Sequence, residues 1–168
     1  MLFVTILVIS DTHGRSDRIS RLLAHVKSAE ALIFLGDGLA DLDAAMKDSC
    51  IPVLSVRGNC DFFAHQHIPL ESTVTLEGVR IYLHHGHETG VKHGCVGALA
   101  RAAQMSADVC LFGHTHEAHL SYADYHGDSR RICLFNPGSL GRSHDGQAHY
   151  GILTLKNGDY LLSHGVLP

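Results

Sequence analysis

At 168 residues, 45% of them hydrophobic and 18% charged, the chain can bury about 70% of the surface that its unfolded form exposes, which excludes a disordered protein and removes any need for a covalent staple. A net charge of −4 excludes a partner such as long nucleic acid, whose phosphates call for clustered Lys and Arg. No stretch approaches the roughly 20 apolar residues of a membrane span, and five cysteines without a C-x-x-C pair point to reduced thiols in a soluble cytoplasmic protein.

Along the chain, strands and helices alternate at first. An apolar run over 3–9 predicts a first strand rather than a signal peptide, because it lacks a basic leader and a cleavage site. Ile19, Leu22, Leu23 and Val26 recur at helical spacing, predicting a helix over 17–29. A strand over 31–35, a short helix over 40–48 and a strand over 52–56 complete a βαβαβ start. ESTVTLEGVRIYLHHG reads as a hairpin turning at Glu77 and Gly78. An Ala-rich helix over 91–106 and a strand over 108–112 follow. Four short strands then succeed one another at 118–126, 131–135, 149–155 and 159–166; Asn-Gly in LKNGDY suits a type I′ turn between the last two. Apolar edge strands in this β-rich third allow a homo-oligomer without fixing a subunit number. The simplest packing is one domain over 1–168 with helices covering a two-sheet core.

Five of the apolar runs end in a turn residue and a polar ligand type: TILVISDTHG, ALIFLGDG, VLSVRGNCD, RIYLHHGHE and ADVCLFGHTH. Uninterrupted runs of this kind are strands covered on both faces, and the crevice beyond their carboxyl ends is where α/β proteins bind ligands. Asp11, His13, Asp37, Asn59, His85, His114 and His116 would meet there. Their oxygen and imidazole donors, with no thiolate, suit Mn²⁺, Fe²⁺ or Zn²⁺ rather than a closed structural zinc. Seven donors are too many for one cation and fit two, about 3.5 to 4 Å apart, if one carboxylate is shared. In extended backbone, the i, i+2 pairs Asp11/His13 and His114/His116 would each point to one side.

In this order and these contexts, the blocks DTHG, GDG, GNCD, HHGH, GHTH and NPGS, spanning residues 10 to 139, resemble the motif set of the calcineurin-like metallophosphoesterases, and most closely their small single-domain bacterial and archaeal phosphodiesterase branch. The resemblance implies an α/β fold of the four-layer αββα type, with two mixed β-sheets flanked by helices. It implies that Asp11, His13 and His116 bind a first metal, that Asp37 bridges, and that Asn59, His85 and His114 complete a second. The cofactors would be two divalent ions, Mn²⁺ first, with Fe²⁺, Zn²⁺ or Ni²⁺ as alternatives. A hydroxide between them would attack a small-molecule phosphodiester in line. NPGS, residues 136–139, would form a tight turn near the metals or simply join two strands.

One position departs from the pattern. Many relatives follow the asparagine ligand with a histidine that protonates the leaving group; here that residue is Cys60, a poorer acid near pH 7, so slow turnover of poor leaving groups is expected. Asp61, next in line, would either position a water or hold the loop by accepting backbone amides. Two other functions fit the same fold. A phosphomonoesterase would need cationic clamps on its dianionic substrate, and only Arg57 and Arg142 lie beside the motif blocks. A non-catalytic binding scaffold would have no use for all seven donors.

Overall fold

The computed structural model describes residues 3–61, 65–125 and 131–168. The apolar runs form two five-stranded sheets. β1 (Val4–Ile9), β2 (Ala31–Phe34) and β3 (Val53–Ser55) lie parallel, and β9 (Ala148–Lys156) and β10 (Asp159–Leu167) extend their sheet antiparallel, in the order β10-β9-β1-β2-β3. The second sheet joins β4 (Glu71–Leu76), β5 (Val79–His84), β6 (Val109–Leu111), β7 (Ala118–Asp124) and β8 (Arg131–Pro137) in the order β4-β5-β6-β8-β7. α1 (Ser16–His25) and α2 (Leu39–Met46) cover the first sheet, and α3 (Val96–Gln104) covers the second.

Alternation along each strand explains the layering. Ile6 and Val8 face the core between the sheets, with Ile33, Ile81, Leu111 and Phe135, while Leu7 and Ile9 face the other way, onto Ile19 and Leu22 of α1. Both faces of β1 are therefore dry, as the unbroken apolar run requires. Each such buried aliphatic side chain stabilises the fold by about 1.5–3 kcal/mol. Tyr82, Cys110, Phe112 and Leu134 form the third core under α3. The result is the αββα stack.

The details depart from the sequence expectations in four places. α1 stops at His25 rather than 29, because the chain turns so that the Glu30 amide can reach the Thr5 carbonyl and enter β2. The helix expected over 91–106 is a 3₁₀ turn at Val91–His93 and then α3; Gly94, at φ 122°, has a backbone that no α-helix accommodates. The four late strands are shared between sheets, β7 and β8 in the second and β9 and β10 in the first. The strand expected over 118–126 ends at Asp124, and residue 126 lies outside the described residues. The Asn-Gly hairpin stands as read: Asn157 and Gly158 both have positive φ, 48° and 88°.

Outer strands β7 and β10 expose Leu120, Tyr122, Leu161 and Val166. Among the described residues no helix is long and apolar enough to cross a membrane. All five cysteines are free, with Cys110 and Cys133 buried.

Candidate metal centre

The carboxyl ends of β1, β2, β3, β5 and β6 meet at one edge, and all seven candidate ligands sit on the loops that leave them. The loops do not arrive in extended conformation. Asp11, His13, Asp37, His114 and His116 all have positive φ (56°, 45°, 61°, 68° and 62°), so the i, i+2 reasoning from extended backbone is corrected: left-handed residues, not a pleat, turn each pair inward. Such conformations cost non-glycine residues on the order of 1–3 kcal/mol each and persist where the surroundings enforce them. Here the enforcement is visible. The Asp11 amide donates to the Gly36 carbonyl, those of Thr12 and His13 donate to the Asp37 carbonyl, and the Ser139 hydroxyl donates to the Asp11 carbonyl at 2.7 Å. Asn136 donates to the Gly113 carbonyl and to Thr115 Oγ1, bracing the loop of His114 and His116. The NPGS segment is thus more than a connection: Asn136 and Pro137 end β8, and Asn136 and Ser139 brace the loops from β6 and β1.

Close approach at this edge excludes side chains at several glycines, Gly58 and Gly113 among them. A Cβ on Gly58 would stand 2.1 Å from Asp37 Oδ1, and one on Gly113 would stand 2.0 Å from Ser10 Oγ.

Each buried carboxylate is divided in its duties. Asp11 Oδ2 accepts from Ser10 Oγ at 2.6 Å and from the His114 amide at 3.0 Å, whereas Oδ1 is buried without a hydrogen-bond donor. Asp37 Oδ1 accepts from the Cys60 amide at 2.7 Å, and its Oδ2 lies 3.4 Å from His85 Nε2 and 4.0 Å from His13 Nε2. Asp11 Oδ1 lies 3.2 Å from His116 Nε2, 3.7 Å from His13 Nε2 and 3.9 Å from His85 Nε2. His85 Nε2 and Asn59 Oδ1 are likewise buried without a partner. Donor atoms Asp11, His13 and His116 lie within 4.8 Å of one another, as do those of Asp37, His85 and His114. Atoms bound to one cation at about 2.1 Å stand roughly 3.0–3.4 Å apart, so the shortest separations fit and the others lie somewhat longer.

The imidazoles are turned by their far nitrogens. His85 Nδ1 lies 2.8 Å from the Leu35 carbonyl and His116 Nδ1 2.8 Å from the Arg142 carbonyl. A proton on each Nδ1 leaves an Nε2 lone pair facing a carboxylate, an arrangement that a cation between them would satisfy. With only protons to serve, the Asp11 carboxylate, whose Oδ1 lies 3.2 Å from Nε2, raises the His116 pKa. Burial pushes His85 down, but Asp37 and Asp11 outweigh it and the net shift is upward. Burial raises Asp11, yet His116 and His13 hold its carboxyl below the usual carboxylate range. His114 falls to about 4 through burial and the neighbouring His85.

Cys60 and Asp61 separate in role. Burial, followed by the hydrogen bond to Asp37, pushes the Cys60 thiol up to about 11, so it keeps its proton and yields it reluctantly. Asp61 has both oxygens engaged: Oδ2 accepts from the amides of Asp37 and Gly58 at 2.7 and 2.9 Å, and Oδ1 from those of Gly38 and Leu39, both at 2.8 Å. Of its two expected roles, these four bonds serve the loop-holding one.

Sequence reading did not single out Lys92, which with His114, His116 and His144 lines a cleft of about 570 Å³ beside the centre. Nor did it find Ser10, whose residue type carries no signal apart from the folded loop, and it gave Asn136 and Ser139 no individual role within the NPGS turn that it placed near the metals. His84 packs with Tyr82 and Cys110, while the His87 ring stands 5.5 Å from that of His85 with Nδ1 buried and unpartnered.

Comparison with known proteins gives concordant matches. The family model described as calcineurin-like phosphoesterase superfamily domain matches residues 4–158. A probable metallophosphoesterase of Bacillus subtilis is 31% identical over 157 residues, covering 92% of this chain and 86% of that protein. Among solved structures, one described as a novel archaeal phosphodiesterase aligns with TM-score 0.75 at 22% identity, over 98% of this chain and all (100%) of the other. Vacuolar protein sorting 29 from Cryptosporidium parvum aligns with TM-score 0.69 at 16% identity, over 99% and 98%.

Proposed function

This chain belongs to the calcineurin-like phosphoesterase superfamily, and we propose that it is a two-cation phosphodiesterase acting on a small-molecule diester. The observation that carries the reading is the set of buried, unpartnered donors, Asp11 Oδ1, Asn59 Oδ1 and His85 Nε2, on loops that converge at one sheet edge. Burying such atoms dry is costly unless a cation takes them up. Asp11, His13 and His116 would hold one cation, Asn59, His85 and His114 the other, and Asp37 would be shared. Mn²⁺ is proposed first; Fe²⁺, Zn²⁺ and Ni²⁺ suit the same mixed donors. When bound, the two cations supply Lewis acidity at the phosphoryl oxygens and lower the pKa of water. The chain's own residues orient the centre: the Leu35 and Arg142 carbonyls fix two imidazoles, Ser10 and the His114 amide fix Asp11, and Asp61 fixes the loops. The five unpaired thiols support a cytoplasmic placement.

The preference for diesters rests on charge. Among the described residues, the His114/His116 cleft offers one ammonium, Lys92, while Arg142 contributes its carbonyl to His116. A dianionic monoester asks for more clamping than that. With Mn²⁺ supplied, kcat/KM for bis(p-nitrophenyl) phosphate should exceed that for p-nitrophenyl phosphate by about tenfold or more, a barrier difference of about 1.4 kcal/mol. The reverse preference would make the protein a phosphatase, and no turnover with both cations bound would make it a binding scaffold.

Cys60→His should raise turnover of diesters with poor leaving groups toward the roughly 10²-fold that a placed acid contributes, and should change nitrophenyl esters far less. Equal effects on both, with cation content unchanged, would dissociate this position from leaving-group protonation.

A further inference from the structure

The cleft containing Cys60, about 420 Å³, runs from His13 and Asp37 to Ala40 and His65. Ala40 and His65 also line a second cleft of about 470 Å³ along α2, so the two form one groove leading away from the centre. Its outer part has Leu42 and Ile68 as apolar lining and Asp43, Lys47 and His67 as polar lining. His65 stands at the junction with its side chain 12% exposed and Nε2 2.7 Å from Asp43 Oδ2. The carboxylate therefore holds the ring in place. The His67 ring lies 6.4 Å from it, centroid to centroid, inclined by 34°.

Building on the diesterase reading, we propose that this groove is the subsite for one ester arm and selects diesters whose arm carries a planar heteroaromatic ring, the nucleoside class. Phosphorus held at the centre would send an arm into a flanking cleft, and the one that runs from His116 to His149, about 230 Å³, is smaller than those beside Lys92 and along α2. The cleft beside Lys92 has Val91 as its aliphatic wall besides Thr115, Glu117 and His144, and its His114 and His116 imidazoles would be taken up by the cations, so it offers a flat ring less apolar wall than the groove along α2. Along α2 the composition is mixed. A purely aliphatic arm would strip water from Asp43, Lys47 and the imidazoles without replacing its hydrogen bonds. A small polyol would leave Leu42 and Ile68 uncovered. A heteroaromatic ring offers a face for the apolar wall and an imidazole, and a hydrogen-bonding edge for Asp43 and Lys47.

The experiment uses the Mn²⁺-loaded full chain, with adenylyl-adenosine and glycerophosphocholine as diesters and adenosine as a binding probe by calorimetry. Ala40→Trp, which fills the junction, and His65→Ala should each raise KM for adenylyl-adenosine about tenfold, the scale of a lost base stack, with kcat within about twofold. Adenosine affinity should fall in parallel, and glycerophosphocholine kinetics should hold. Unchanged KM and adenosine affinity in both variants would overturn the subsite, as would wild-type protein that does not distinguish the two diesters. If bis(p-nitrophenyl) phosphate is cleaved but adenosine does not bind, the subsite fails and the diesterase reading stands. If no diester is cleaved yet adenosine binds and Ala40→Trp abolishes binding, the subsite stands and the diesterase reading fails.

Discussion

Asp37→Ala is expected to empty the centre of both cations and to lower turnover by roughly 10³-fold or more, since it removes the charge that both sets of donors share. Asp37 Oδ2 is the carboxylate oxygen between the His85 and His13 nitrogens, at 3.4 and 4.0 Å, while Oδ1 anchors the Cys60 amide. Alanine removes both and leaves that amide unpaired. Elemental analysis after gel filtration measures the first effect and steady-state assay the second. Thermal melts give an independent reading. Each cation present at 100 times its Kd stabilises the folded state by about 2.7 kcal/mol, which for a chain of this size raises Tm by roughly 5–10 °C per site. The variant should show no such rise. Retention of one full equivalent of Mn²⁺ by Asp37→Ala would contradict the shared carboxylate.

Asp61→Ala should be the most destabilising single substitution near the centre. It withdraws the acceptor from four backbone amides at once, Asp37, Gly38, Leu39 and Gly58, on two different loops. Two of these, Gly38 and Leu39, open α2, whose N-cap Gly38 has no side chain to serve them. Asp61 thus caps that helix from another loop and places its negative charge at the positive end of the helix dipole. An unsatisfied buried amide costs about 1–3 kcal/mol, and water can reach some of the four, so a loss of about 3–5 kcal/mol is expected, seen as a Tm lower by roughly 10 °C. Asp61→Asn should lose about half as much, because one carboxamide oxygen still accepts while the NH₂ opposes two donors. Urea titration of both variants checks the order. A cost below about 1 kcal/mol for alanine would show that the loops hold their shape without this residue.

Much of this was readable in the chain alone, and for a physical reason. A strand dry on both faces leaves an unbroken apolar run, and the residue that ends it announces the sheet edge; Asp11, Asp37 and His85 were all found in this way. The left-handed backbone was not readable. Asp11 and His116 carry nothing in their residue types that requires positive φ; the constraint comes from partners such as the Asp37 carbonyl and Ser139, distant in the chain. The division of the last four strands was equally hidden. β9 joins the first sheet because it pairs with β1, Leu155 opposite Val4, across nearly the whole sequence, and hydrophobic alternation says nothing about which edge a strand will find. Asp61 shows the remaining gap. Its residue type fits catalysis and capping alike, and only four amide distances separate the two.

Asp11, His13, Asp37 and Asn59 hang from one sheet, His85, His114 and His116 from the other. A dication gripped by both halves would act as a rivet through the sandwich, so the same event that arms the chemistry would clamp the two leaves together. Anything that pries the leaves apart, whether heat or a mutation deep among Ile6, Ile81 and Phe135, would then loosen the ions long before the chain lets go of its shape.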